Sequence, residues 1–305
     1  MKAITFHGVG DVRAETVADP KIVDATDVVV RITTSAVCGS DLHQYHGRGG
    51  GALVKTGAIM GHEFMGVVEE AGAAVRDVRA GDRVVLPFNV SCGHCEWCRR
   101  KMPSQCATTG RAVFGGRFGH VWGGGQAERV RVPFADHLCE KVDPALSDDD
   151  ALFLGDILST GYCCAENGGI RPGDSVAVFG AGPVGLLAMQ SAQLFGPARV
   201  FAVDRVDYRL ALAAELGAEP VTWGRAIRRS SSARAPAVTA PTSCWNASVT
   251  RRRSRRRSRR CARAAWCRRW ESTSRRRWAS PRARRSSRTS RSRWASATRA
   301  TTSAR

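Results

Sequence analysis

Across residues 1–150 the apolar positions come in short runs, at 1–6, 28–32, 66–69, 83–86 and 128–132, broken by glycine and aspartate. Runs of this length, separated by turn signals such as Ala80-Gly81-Asp82, predict an antiparallel β barrel or sandwich. No helical period is expected in this region. From residue 151 the pattern changes. Residues 151–166 carry apolar side chains at helical spacing, with Asp156 set among Leu152, Leu154, Ile157 and Leu158. A carboxylate on such a face costs stability unless it caps a helix, pairs with a cation or binds a metal. Residues 174–179 then form a continuous apolar strand of the buried, parallel kind.

That strand runs into Gly180-Ala181-Gly182-Pro183-Val184-Gly185 and a helical run to residue 195. A second strand, 199–204, ends on Asp204, helical spacing returns over 210–216, and a third parallel strand is expected near Val221. A glycine pattern of this form is weak alone but informative between a strand and a helix. Gly180 permits the tight turn, Gly182 lets the backbone approach a pyrophosphate, and Gly185 lets the helix pack on the strand. The helix that Pro183 and Val184 open then faces the phosphates with the free N–H groups of its N-terminus. Asp204 stands where a carboxylate accepts from the adenine ribose and repels a 2′-phosphate, which favours NAD over NADP, although the neighbouring Arg205 weakens that preference. The expected fold class is α/β: a β-rich domain over 1–150, then a truncated Rossmann domain over 151–222.

Charge and cysteine content change the picture in two ways. The chain carries +20 overall, yet residues 224–305 hold 26 arginines and a single acid, Glu271, a net of +25; residues 1–223 therefore carry −5. The basic character belongs to the tail. The N-terminus lacks the charged-then-apolar form of a signal peptide, and no apolar stretch nears the roughly 20 residues that span a bilayer. A cytoplasmic protein without a membrane partner is expected, and its eleven cysteines point to metal binding rather than disulfides.

Cys92, Cys95, Cys98 and Cys106 lie in one polar loop at spacings of two, two and seven. Four thiolates so placed close a tetrahedron around zinc with no vacancy, the mark of a structural site; an iron–sulfur cluster is the alternative for these residue types. His94 inside the loop is read as a solvated residue, and Cys139, Cys163 and Cys164 as small buried hydrophobes. A second group is Cys38, in Val37-Cys38-Gly39-Ser40-Asp41-Leu42-His43, with His62, in Gly61-His62-Glu63. A thiolate and an imidazole suit catalytic zinc, with a carboxylate or second thiolate to complete the set. Three protein ligands leave one place open for an alcohol oxygen. Ser40 and His43 are near enough in sequence to carry its proton outward.

Residues 1 to about 222 resemble the zinc-dependent medium-chain alcohol dehydrogenases. Within that family Gly155-Asp156-Ile157-Leu158-Ser159-Thr160-Gly161-Tyr162 is similar to the branch containing glutathione-independent formaldehyde dehydrogenase, whose third catalytic ligand is Asp. The resemblance implies a GroES-like catalytic domain, and Cys38, His62 and Asp156 as zinc ligands with Glu63 close enough to visit the metal. It further implies Ser40 and His43 in a proton relay, Thr160 against the nicotinamide, a homo-oligomer, and hydride transfer between NAD and a small alcohol or aldehyde.

The pattern breaks at residue 223. Residues 224–305 contain no Leu, Phe, Tyr, Met, Lys or Asp and consist largely of Arg, Ser, Ala, Thr, Pro, Trp and Cys. Such a segment cannot offset its ordering entropy by apolar burial, so 223–305 is expected to be disordered. One reading is a genuine tail that binds nucleic acid through phosphates, with Trp266, Trp270 and Trp278 for stacking. The other is a reading frame lost near residue 223 of a GC-rich gene, which yields this alphabet and halts the Rossmann pattern part-way. In that case the chain binds zinc, binds NAD poorly and turns over slowly or not at all, as a zinc-binding remnant.

Overall fold

The computed structural model describes residues 1–48, 54–110, 116–120, 122–223 and 248–252, with Gly116 and 248–252 as backbone only. The first domain is built on antiparallel strands, as the short alternating runs predict. A three-stranded sheet orders β2 (Asp11–Thr16), β1 (Lys2–Gly8) and β4 (Ala58–Ile59). A five-stranded sheet orders β10 (Glu140–Lys141), β6 (Arg83–Val85), β5 (Glu63–Ala71), β3 (Val28–Ala36) and β9 (Arg129–Val132), and β7 (Asn89–Val90) pairs with β8 (Gly116–Arg117). In β9 the period of two is plain: Val130 and Val132 are buried while Arg129 and Arg131 lie between them at the margin. The valines join Val28, Val30, Phe64, Val68, Val84 and Phe118 in one core. Each such side chain contributes roughly 1.5–3 kcal/mol of burial free energy.

Short helices occur in this region without a helical period in the sequence: α1 (Gly39–Tyr45), α2 (Glu96–Arg99), α3 (Ala135–Leu138) and α4 (Asp148–Leu152). Each is two turns or shorter, too brief for a helical period to show. The single helix expected over 151–166 is also broken. Ser147 caps α4 by accepting from the Asp150 N–H, a 3-10 turn follows at Phe153–Gly155, and Asp156 leaves helical geometry at φ −142°, ψ −75° before α5 (Ile157–Asn167) begins. A side chain at Gly155 would meet the Leu86 carbonyl at 2.5 Å, so the break sits tightly against the first domain.

The second domain alternates β11 (Ser175–Phe179), α6 (Pro183–Gln193), β12 (Arg199–Asp204), α7 (Asp207–Glu215) and β13 (Glu219–Thr222). The strands β11, β12 and β13 are parallel and neighbouring, so the third strand stands two residues before its expected start. The helix α6 begins at Pro183, earlier than the apolar run suggests, because proline suits the first helical position. Val176, Val178, Ala188, Met189, Ala192, Val200 and Ala202 form the core, and α5 packs so closely on α6 that a Cβ at Gly161 would lie 2.8 Å from the Ala188 N.

Beyond residue 223 the described residues are 248–252. They form β14 (Ser248–Arg252), antiparallel to β11, an exception to the disorder expected for 223–305. An uncovered strand edge offers unpaired N–H and C=O groups, and β14 pairs that of β11. The remainder of the tail, with Trp266, Trp270 and Trp278, lies outside the described residues.

Candidate catalytic centre

The cysteine loop brings its four sulfurs together. Cys95 and Cys98 are 3.5 Å apart, Cys92 and Cys106 3.6 Å, and Cys95 and Cys106 3.9 Å. These are no disulfides; a tetrahedron with Zn–S bonds of about 2.3 Å has edges of about 3.8 Å. Cys95 holds the N-cap position of α2, which presents Cys98 one turn on. Burial raises the Cys106 thiol, but the Thr109 hydroxyl and the N–H groups of Cys92, Thr108 and Thr109 outweigh it and bring the group down to about 5. Cys98, by contrast, is pushed up to about 12 by burial and by the neighbouring sulfurs. Four crowded thiols cannot all ionise without a cation, so the donor set fits a divalent thiophilic metal. His94 is exposed, as expected. Of the remaining cysteines, Cys139 and Cys164 are half-buried, whereas Cys163 is exposed rather than a core residue, because it lies on the outer face of α5.

The second cluster draws on three distant segments. Donor atoms of Cys38, His62, Glu63 and Asp156 all lie within 4.8 Å of one another. Cys38 precedes α1, His62 immediately precedes β5, Glu63 opens it, and Asp156 occupies the break before α5. Asp156 holds the N-cap position without capping: its Oδ2 is 3.3 Å from His62 Nε2, and its Oδ1 accepts from the Thr160 hydroxyl at 2.9 Å. A thiolate, an imidazole and a carboxylate form a ligand set suited to zinc.

Asp41, a residue not singled out in the sequence, supports this cluster. It is 3% exposed, accepts from the Cys38 N–H at 2.9 Å and from Gln126 Nε2 at 3.2 Å, and places Oδ1 3.2 Å from His62 Nδ1. That last contact is within ion-pair range, although the ring N–H is not aligned for a hydrogen bond. A carboxylate behind a ligating imidazole fixes which ring nitrogen faces the metal. Burial would lower the His62 pKa, but contacts with Asp156, Asp41 and Cys38 prevail and hold it well above its ordinary value. Glu63, 3% exposed, is raised to about 9 by burial and by the negative charge around Cys38 and Asp156.

A cavity of about 30 Å³ opens on this cluster, lined by Cys38, His62 and Asp156, by Ser40, Phe88 and Arg117, and by Ile157, Thr160 and Val184. Ser40 Oγ is 3.1 Å from His62 Nε2. His43 is half-buried one turn further along α1, and among the described residues no hydrogen bond joins it to Ser40. The Phe88 ring meets His62 edge-on at 6.4 Å between centroids. Thr160 and Val184 belong to the α5–α6 side, so the glycine turn and the metal-donor cluster share one cavity.

The turn has the form that its glycines predict. Gly180 adopts φ +94°, and a Cβ at Gly185 would lie 1.8 Å from the Gly180 carbonyl oxygen. Gly182 precedes α6, and Pro183 and Val184 form its first turn. Asp204 points back at this turn, accepting from the N–H of Ala181 at 2.6 Å and from those of Arg205 and Val206 at 2.6 and 3.0 Å. Burial opposes its ionisation, but these N–H groups hold its pKa below the ordinary carboxylate value. Arg205 is exposed beside it.

Comparison with known proteins places this architecture. Residues 24–143 match the alcohol dehydrogenase GroES-like domain. A medium chain reductase/dehydrogenase of an Acremonium species is 44% identical over 233 residues, covering 74% of this chain and 77% of that protein. The chain belongs to the zinc-dependent medium-chain alcohol dehydrogenase family. Another relative in the family, a glutathione-independent formaldehyde dehydrogenase of Pseudomonas aeruginosa, is 39% identical over 232 residues, 72% of this chain and 57% of its own. The structure of an alcohol dehydrogenase from Thermus sp. ATN1 superposes with a TM-score of 0.68 at 42% identity, over 76% of this chain and 67% of that one. The chain spans little more than half the length of several curated members of the family.

Proposed function

We propose that residues 1–222 form the active centre of an oxidoreductase that moves a hydride between a small alcohol or aldehyde and NAD. One observation carries the reading: a single cavity is lined by Cys38, His62 and Asp156 and by Thr160 and Val184. Cys38, His62 and Asp156 would hold a zinc ion, the 92–106 cysteines a second one, and the turn at Gly180, Gly182 and Gly185 with Asp204 the dinucleotide. When bound, zinc supplies Lewis acidity toward an alcohol oxygen, and NAD supplies the hydride acceptor.

The side chains have separate tasks. Ser40 Oγ, at the cavity wall, is placed to take the hydroxyl proton of a bound alcohol; His43 would carry it on only through a group that bridges the two. Arg117 Nη1 makes a long contact with Ser40 Oγ at 3.4 Å, which leaves the serine O–H free to point at a substrate or at solvent. Asp41 orients His62, and Thr160 orients Asp156 while facing the space for the nicotinamide. Phe88 and Ile157 exclude water. The cavity, about 30 Å³, falls well short of the ~150 Å³ that admits benzene, which favours small substrates.

We further propose that this particular chain is a weak catalyst. A dinucleotide lies across a crevice between two half-sheets, and the described residues supply three parallel strands with β14 antiparallel in the next place. That arrangement favours a lost reading frame near residue 223 over a nucleic-acid-binding tail. Metal binding is then retained while NAD binding suffers. Homo-oligomerisation and a cytoplasmic location belong to the same proposal; among the described residues no helix is long and apolar enough to cross a membrane. Titration of the purified chain with NADH, followed by fluorescence, is expected to show weak binding and little NAD reduction with small alcohols. Tight binding with turnover would contradict the proposal, and a mass-spectrometric tail peptide matching an uninterrupted genomic frame would sink the frameshift.

A further inference from the structure

Arg117 is a charged group lining the cavity whose contact with Ser40 uses only one of its N–H donors. It lies in the two-residue strand β8, opposite Asn89, and is 8% exposed. A guanidinium offers five N–H donors in a planar fork. Here one of them reaches Ser40 Oγ at 3.4 Å, beyond the usual range for an N–H···O bond, and the buried Nε has no acceptor among the described residues. Arg117 takes part in none of their ion pairs. Of the residues outside the described set, 49–53, 111–115 and 121 include no Asp or Glu, and 224–247 and 253–305 include one acidic side chain, Glu271.

A buried cation without a counter-charge is costly to keep, because its lost hydration is not replaced. Asp156 and Cys38 line the same cavity, yet their negative charge is what a metal at the cluster would neutralise. The fork therefore faces a cavity whose other polar groups are engaged. We propose that Arg117 is a specificity-determining residue that receives the carboxylate of a short hydroxy acid or oxo acid, whose hydroxyl or carbonyl oxygen then lies toward Ser40 and the metal ligands. A carboxylate matches the guanidinium fork with two parallel hydrogen bonds. The cavity, about 30 Å³ and walled by Phe88 and Ile157, favours the shortest such acids and excludes the pyrophosphate of a dinucleotide. This inference deepens the oxidoreductase reading and relies on it for the reaction of the bound acid, though not for the binding itself.

The test compares glycolate with ethylene glycol, molecules of similar size with and without the carboxylate. Each is titrated calorimetrically into the zinc-replete 305-residue chain in low-chloride buffer, and the zinc content of the same samples is counted. Glycolate is expected to bind at least about tenfold tighter. The Arg117→Met variant should lose that preference with an unchanged melting profile, and Arg117→Lys, which keeps the charge but not the fork, should retain part of it. Equal binding of the two ligands overturns the proposal. So does a glycolate preference that survives in Arg117→Met, since the carboxylate would then sit on the metal. Should Arg117→Met fail to fold, undiminished glycolate affinity in Arg117→Lys overturns it equally. A zinc-poor chain that still shows the Arg117-dependent preference would remove the oxidoreductase reading and leave the anchor standing. Full zinc without the preference would remove the anchor alone.

Discussion

The two donor clusters of this chain differ in how they are made. The Cys92–Cys106 cluster comes from one loop of fifteen residues with four like donors at S···S separations of 3.5–3.9 Å. The Cys38–His62–Asp156 cluster joins unlike donors from three segments, the last in the break between α4 and α5. A closed set of thiolates can do little but bind and brace. An open, mixed set next to a glycine turn can bind a third party. The difference teaches that a bracing site is secured by local chain geometry, whereas a reactive one depends on the packing of segments far apart in sequence.

Breaking the first cluster should have the largest effect. Cys106→Ser is expected to lose the loop's metal and destabilise the fold by several kcal/mol, since metal affinity at such a site is folding energy; thermal melts with and without chelator check this, and an unchanged melting point would mean the loop needs no metal. Next comes Asp156→Ala, expected to remove one metal ion and any hydride transfer while the fold persists, read by metal content and circular dichroism. Loss of both metals would show that the clusters are not independent. Asp41→Asn should weaken zinc at the second cluster alone by about 10–100-fold, as competition with a chromophoric chelator would show.

The smallest effect concerns pH in the metal-free chain. Glu63 has a folded pKa of about 9, raised from 4.5, so the folded state holds a proton that the unfolded state releases. Its contribution is fully present below the unfolded value and is lost as pH rises toward 9. His62, also raised, acts in the same direction. Glu63→Gln should therefore flatten part of the fall in stability between about pH 5 and 9, and denaturant melts at several pH values would detect it. An unaltered slope would exclude Glu63 as the source.

Legibility in the chain itself divides the same way. The four cysteines and the glycine turn are legible because their chemistry depends on spacing along the backbone. Asp156 is ambiguous, since one apolar period covers both an unbroken helix and the actual break, and only the pressure of Gly155 against Leu86 decides between them. Nothing in the sequence singles out Asp41 or Arg117. Burial marks both, and burial belongs to tertiary packing rather than to any local pattern. His43 enters by analogy with a relay that the described residues do not complete. The tail is legible as foreign in composition, but not the return of residues 248–252 to the edge of β11.

Metal content tests the central claim most directly. Elemental analysis of the purified chain, with X-ray absorption to separate sulfur from nitrogen and oxygen ligands, is expected to find about two zinc ions per chain, one bound by four sulfurs and one by a single sulfur with nitrogen and oxygen. A chain carrying a single all-sulfur zinc, unchanged by Asp156→Ala, would contradict it.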